Sequence, residues 1–385
     1  MNNDFDFFII GGGINGAGIA RDASGRGLSV CLIDKGNIGS ATSSWSTKLI
    51  HGGLRYLENY DFKLVRESLK EREIILEIAK DISRPIPFII PHSKKLRPIW
   101  LIKIGLFLYD NLRGRSIIPK SKTVNIQEEY PNILKKNFIK GFKYYDVQID
   151  DKKLTELNAI DAERNGASIL INTKIVKVER NIKSWVIHLD NGRIIKSKIL
   201  INASGPWVNE VDNNVLKIPS KKSLRLVKGS HIIIKKIYDE DVAFTLQNND
   251  KRIVFVIPYK DNFSLIGTTE VEVFSPDNPK IDKNEINYLI SSVNNYFKKE
   301  INEVDIIETY SGVRPLVDNF KNVSKITRDY IFDINVENNL PPLVSIYGGK
   351  LTTYRKLAEK ILIDLKKYLP SNKGKSWTSK KKLNP

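Results

Sequence analysis

Gly11, Gly13 and Gly16 directly follow the apolar run Phe5-Asp6-Phe7-Phe8-Ile9-Ile10. Their spacing, Gly-x-Gly-x-x-Gly, carries a definite chemistry. The first glycine permits a tight turn, the second lets the backbone approach a pyrophosphate, and the third lets a helix pack close to the preceding strand. The anion then meets the unpaired N–H groups at that helix's N-terminus. Asp34 closes a second apolar strand at 29–33, where a carboxylate can accept ribose hydroxyls. Strand, helix to Arg26, Gly27, second strand and terminal acid follow in register, so residues 5–34 read as a complete βαβ dinucleotide unit.

Composition narrows the setting. With 385 residues, 41% hydrophobic and 28% charged, the chain is an ordinary globular protein of two or three subdomains. Its single cysteine, Cys31, lies in the second strand and is expected to pack in the core. No Cys/His cluster suits a metal or an iron–sulfur centre. The first strand begins at residue 5, which leaves no room for a signal peptide, and a cytoplasmic location is expected. The formal charge of +18 favours acidic small molecules, an anionic membrane surface or simply a solvated basic face. Nucleic acid is not expected as a partner, because no recognition motif accompanies the charge.

Further along, residues 61–80 carry apolar side chains at helical spacing. Residues 84–98 contain Pro85, Pro87, Pro91 and Pro98 and read as strands and turns. The apolar stretch 99–108, with Trp100 and Phe107, is too short to span a bilayer. It is either a buried helix or a membrane-surface helix flanked by Arg97, Arg113 and Arg115. A helix at 151–165 precedes strands at 169–178, 185–189 and 194–201, the last running into Asn202-Ala203-Ser204-Gly205-Pro206-Trp207. Residues 225–275 alternate like strands, 284–298 read as a helix, and a strand at 343–347 enters Gly348-Gly349 before a last helix at 353–368. Three small-residue turns after strands can converge on one extended cofactor, which favours FAD over a nicotinamide alone.

Several longer motifs complete the picture. They are Ala41-Thr42-Ser43-Ser44, Lys48-Leu49-Ile50-His51-Gly52-Gly53-Leu54-Arg55-Tyr56-Leu57, Lys228-Gly229-Ser230-His231 and Ile266-Gly267-Thr268-Thr269. Tyr310-Ser311-Gly312-Val313-Arg314-Pro315, Ile326-Thr327-Arg328-Asp329-Tyr330 and Gly348-Gly349-Lys350-Leu351-Thr352-Thr353-Tyr354-Arg355 follow. In order and over nearly the whole chain, the series resembles the FAD-dependent, quinone-linked glycerol-3-phosphate dehydrogenases. The resemblance implies an α/β fold: a glutathione-reductase-like FAD-binding Rossmann domain (1–70, 145–212 and 335–385) beside an antiparallel-sheet substrate domain (71–144 and 213–334) of the D-amino-acid-oxidase kind. It also implies peripheral attachment to the cytoplasmic face of the inner membrane and electron delivery to quinone, with a homodimer left open. Two departures stand out. The family continues into a helical C-terminal domain where this sequence ends at Pro385, and Asp34 stands where Glu is usual.

The resemblance places Gly11, Gly13, Asn15, Gly16 and Asp34 on the ADP half of FAD, and Thr42, Ser43, Lys48, Leu49 and His51 along the pyrophosphate and flavin. Val176 would offer its backbone to adenine, and Ala203, Gly205 and Trp207 would form the second crossing. Gly349, Leu351, Thr352 and Thr353 would lie at the isoalloxazine, with Lys350 stabilising charge there. Arg55, Arg314 and Arg328 are expected to hold the substrate phosphate through paired donors, and Tyr56 to bond the substrate. Oxidising a secondary alcohol at flavin needs a base near neutrality, which histidine supplies. Among four histidines, His231 is the candidate base, against the alternative of a hydrogen-bonded strand histidine. The expected reaction converts glycerol 3-phosphate to dihydroxyacetone phosphate. A peroxide-forming oxidase, a relative acting on another 2-hydroxy acid or amine, and a flavin-binding subunit without turnover are the rivals.

Overall fold

The computed structural model describes residues 3–93, 97–114, 116–318, 329–370 and 374–384. Strand β1, Asp4–Ile10, buries side chains on both faces, and so its sequence is a nearly unbroken apolar run. It pairs in parallel with β2, Val30–Ile33, and with Ile194–Asn202. The latter pairs in parallel with Leu343–Gly348, and β2 with Ser168–Leu170. Tyr330–Asn335 joins antiparallel at one edge, and the hairpin Ile175–Arg180/Trp185–Leu189 is attached to Ile194–Asn202. Helix α1, Ile14–Gly25, and the last helix, Tyr354–Asp364, cover one face through Ile19, Ala20, Leu357 and Ile361. The other face packs Phe8, Cys31 and Leu200 against Trp185 and Ile187 of the hairpin. Burial pushes the Cys31 thiol up to about 12, which keeps it a protonated core residue.

The second sheet is almost wholly antiparallel. Its two longest strands, Leu224–Lys235 and Ile306–Val317, pair along nearly their whole length, and the first also pairs with Phe263–Gly267. Ile253–Tyr259, Ala243–Gln247, Ser83–Pro91 and Lys140–Ile149 continue the sheet. One contact in it, between Ala243–Gln247 and Ser83–Pro91, is parallel.

Several expectations shift. The chain enters the second sheet earlier than residue 71, because Leu49–Ile50 pairs with Val147 and Gln148. A boundary at 145 would cut the continuous strand Lys140–Ile149, and Tyr330–Asn335 belongs to the first sheet. The strand expected at 169–178 is two strands, because the backbone N–H groups of Asn172 and Thr173 leave the sheet to bond the carbonyls of Gly36 and Asp34. Val176 is the extra residue of a bulge that follows.

Helix α2, Phe62–Ile78, ties the second sheet to the last helix. Its Glu71 accepts two bonds from Arg355 of the last helix, at 2.7 and 2.5 Å, and its Arg72 bonds Asp146 of the second sheet at 2.8 Å. Helix α3, Ile99–Leu112, is two-faced. Ile102, Leu106 and Tyr109 are buried, while Trp100, Ile104 and Phe107 are 63%, 50% and 65% exposed. The buried-helix alternative therefore holds for one face only. Of the flanking arginines, Arg97 pairs with Glu58 and Arg113 is buried; Arg115 lies outside the described residues.

Arg355→Met would strand the Glu71 carboxylate in the interior, an expected loss of about 3–5 kcal/mol. A fall of several degrees in the thermal midpoint of the holoprotein checks this, and an unchanged midpoint would mean that water reaches Glu71.

Candidate active site

A cavity of about 820 Å³ runs along the seam between the two sheets. Its first wall is built where parallel strands end. Gly11 follows β1 with φ +105°, and a Cβ there would stand 2.6 Å from the Ala203 carbonyl oxygen. A Cβ on Gly16 would meet the Gly11 carbonyl at only 1.9 Å, so this glycine seats α1 against the turn without itself lining the cavity. Asp34 accepts the backbone N–H groups of Gly12 at 2.6 Å and Gly36 at 2.7 Å, which fixes its carboxylate at the cavity edge. Ser43 Oγ accepts the first N–H of α1, from Ile14, at 2.9 Å.

Gly13, Asn15, Thr42, Leu49, His51, Ala203, Gly205, Trp207, Gly349, Leu351 and Thr352 line the same cavity. Thr353 is buried behind it, at the start of the last helix. Asn15 Oδ1 is buried without a hydrogen-bond partner. A glycine cradle, a helix N-terminus, an anchored carboxylate at the cavity edge and an orphaned amide oxygen together form a donor and acceptor set that fits an extended dinucleotide.

Two expected cofactor residues lie elsewhere. Lys48 turns away, its Nζ 2.7 Å from Asp151 Oδ1. Val176 is 69% exposed, and Thr173, Lys174 and Ile175 form that part of the wall.

The facing wall comes from the antiparallel sheet: Gly229, Phe255, Thr268, Gly312 and Arg314. Arg314 Nη2 donates to Thr268 Oγ1 at 3.0 Å, above the bare Gly229, where a Cβ would stand 2.5 Å from Nη2. Tyr56 and Lys350 line the cavity together, with Lys350 Nζ 4.7 Å from the Tyr56 ring centroid and donating to Ser68 Oγ at 2.8 Å. Arg55 is outside the wall, its Nη1 3.9 Å from Glu270 Oε1. Arg328 lies outside the described residues.

His231 also departs from expectation. It is 1% exposed and absent from the cavity wall, stacked on Tyr310 with 4.7 Å between centroids. Its Nε2 meets the hydroxyl of Thr47, which does line the cavity, at 3.0 Å. Burial, then Arg314 and Lys48, hold the imidazole well below its usual pKa. It therefore stays neutral and is a poor proton acceptor. The histidine that lines the cavity is His51.

Thr47, Phe255 and Thr268 were missed as wall residues. Thr47 and Thr268 stand beside or inside the quoted motifs and could have been found there; Phe255, an apolar residue in an apolar strand, carries no such signal.

Residues 6–355 match the family described as FAD dependent oxidoreductase. The aerobic glycerol-3-phosphate dehydrogenase of Escherichia coli (strain K12) is 46% identical over 385 residues, covering 98% of this chain and 76% of that protein. D-erythritol 1-phosphate dehydrogenase of Brucella abortus (strain 2308) is 45% identical over 381 residues, covering 97% and 76%. The crystal structure of the glycerol-3-phosphate dehydrogenase from Bacillus halodurans complexed with FAD superposes with a TM-score of 0.74 at 26% identity, covering 98% of this chain and 67% of that one. Family, fold and cradle agree on FAD as the cofactor. The chain belongs to the FAD-dependent oxidoreductases and, within them, to the family of the glycerol-3-phosphate dehydrogenases.

Proposed function

We propose that this enzyme oxidises sn-glycerol 3-phosphate to dihydroxyacetone phosphate and hands the electrons to a quinone at a membrane surface. The observation that carries the reading is a single cavity lined together by the dinucleotide cradle, Arg314, Lys350 and His51. When bound, FAD supplies the hydride acceptor. The protein's own residues do the remainder.

Arg314, steadied by Thr268, offers paired donors to a phosphate dianion. Lys350, steered by Ser68 and the Tyr56 ring, adds positive charge where negative charge develops. His51 takes the hydroxyl proton, a role we assign to it in place of His231 because it reaches the cavity. Arg55 acts at longer range, balanced by Glu270, and Arg328 is assigned to the phosphate by its motif alone.

The Brucella relative supports a second reading, a four-carbon polyol phosphate, which presents the same phosphate with a secondary hydroxyl. Anaerobic addition of sn-glycerol 3-phosphate is expected to bleach the flavin absorbance, while glycerol is not. Bleaching by D-erythritol 1-phosphate alone would move the substrate to the second reading, and bleaching by neither would remove both. Arg314→Ala is expected to raise KM about 10- to 100-fold, the worth of a charge-assisted hydrogen bond, with FAD retained. Loss of FAD instead would place Arg314 on the cofactor.

The exposed face of α3 supports the membrane part. No helix among the described residues is long and apolar enough to cross a membrane. Trp100, Ile104 and Phe107 follow helical spacing on one outward face with Lys103 beside them, the pattern of an interfacial helix. The protein is expected to float with anionic vesicles, and the double variant Trp100→Ser/Phe107→Ser to remain in the soluble fraction. Equal flotation of both would assign attachment to another surface.

A further inference from the structure

His51 lines the cavity from a segment without regular secondary structure, His51–Gly53, between the short strand Leu49–Ile50 and a 3-10 turn at Leu54–Asn59. Such a segment holds a side chain in one place only if its backbone is pinned. Two pins are present. Thr352 Oγ1 lies 3.3 Å from the His51 backbone N and 3.4 Å from its carbonyl oxygen. One residue on, the Gly52 N–H donates to the Tyr109 hydroxyl at 2.7 Å.

The second pin is the stiffer one. The Tyr109 hydroxyl donates in turn to Asp146 Oδ1 at 2.6 Å, and the same oxygen accepts from Arg72 Nη1 at 2.8 Å. Arg72 is further fixed by the Tyr145 carbonyl and by Glu73, each at 2.8 Å. Tyr109, Asp146 and Arg72 are all buried, so the chain runs from ion pair to phenol to peptide without solvent. A short bond to an ionised partner polarises the phenol oxygen and makes it a better acceptor for the next N–H. Packing closes the seat: a Cβ on Gly52 would lie 2.5 Å from Leu69 Cδ2 and 2.7 Å from the Tyr109 ring. Phenylalanine would fill the same volume, so the hydroxyl is present for its two hydrogen bonds.

We propose that Tyr109 is a positioning residue for the oxidation, setting the His51 imidazole in the cavity through the Gly52 N–H, with Asp146 and Arg72 holding Tyr109. The proposal rests on the reading of His51 as the proton acceptor. Displacing a catalytic group by about 1 Å from a distant site can cost about a hundredfold in rate.

The test is a double-mutant cycle on the FAD-loaded enzyme. Tyr109→Phe is expected to lower kcat about 10- to 100-fold with KM for sn-glycerol 3-phosphate within about threefold and flavin content unchanged. In a His51→Asn background the same substitution is expected to cost nothing further, since both act on one group. Amide hydrogen exchange in the peptide around Gly52 is expected to quicken in Tyr109→Phe, a readout independent of turnover.

Full additivity of the two substitutions would overturn the positioning role while leaving His51 in place, as would unchanged kcat and exchange in Tyr109→Phe. Unchanged kcat in His51→Asn would remove the reading of His51 itself. Should Tyr109→Phe not fold, 3-fluorotyrosine placed at position 109 keeps the ring, the hydroxyl and the Arg72–Asp146 pair and weakens the phenol oxygen as an acceptor. It is expected to show a smaller fall in kcat with the same non-additivity, and additivity there would equally overturn the proposal.

Discussion

Two consecutive residues of one helix, Glu71 and Arg72, decide how the halves of this enzyme meet. Neighbouring side chains on an α-helix point about 100° apart. One can therefore reach the last helix while the other reaches the antiparallel sheet, at Arg355 and Asp146 respectively. Burial pushes both carboxyls, Glu71 and Asp146, upward against the pull of their arginines, so each depends on its partner to remain charged. Buried pairs of this kind add little net stability over apolar packing of the same volume, but a misdocked α2 would leave two charges unpaired in the interior. The interaction thus selects one placement of the sheets, and the cavity is the space that placement leaves between them.

That space has two walls of different logic. Parallel strands all end at the same edge of their sheet, and β1, Ile194–Asn202 and Leu343–Gly348 therefore deliver Gly11, Ala203 and Gly349 to one line. Three turns far apart in sequence converge for this reason alone. The opposite wall uses the two-residue period of antiparallel strands: Gly312 and Arg314 share a face, and Gly229 pairs directly with Gly312. Two bare glycines side by side leave the hollow in which a guanidinium and a substrate can lie.

The βαβ unit, α2, the hairpin and the convergent turns were legible because each is written locally, in glycine spacing or apolar period. Strand pairing across long separations is not local. Nothing near Leu49 announces that it pairs with Gln148 of the second sheet, and nothing near residue 171 announces that its strand breaks so that Thr173 can bond the Asp34 carbonyl. The same limit explains the histidines. His231 lies in a strand motif as plausible as that of His51, and only the packing of Tyr310 and Thr47 around it shows which imidazole is sealed away. The Tyr109 hydroxyl was invisible for a related reason, since an aromatic residue in an apolar helix reads as packing until its partner on another element is known.

Electrostatics gives the division between the two histidines a physical cause. On the proposed reading the site binds a phosphate dianion and must concentrate positive charge, which Arg314 supplies on the antiparallel wall. The same charge, with Lys48 beside it, penalises an imidazolium at His231, which burial already disfavours. His231, buried beside Arg314, is therefore held in the neutral form and serves as a hydrogen-bonding strut for Thr47. In the proposed reaction the proton leaves from a position supplied by a different element. His51 meets that requirement, since its segment is held by Thr352 from the FAD side and by Tyr109 from α3, apart from the strand that carries Arg314. In the proposed reaction, phosphate binding and proton removal thus fall to different elements, the strand that carries Arg314 and the segment that carries His51.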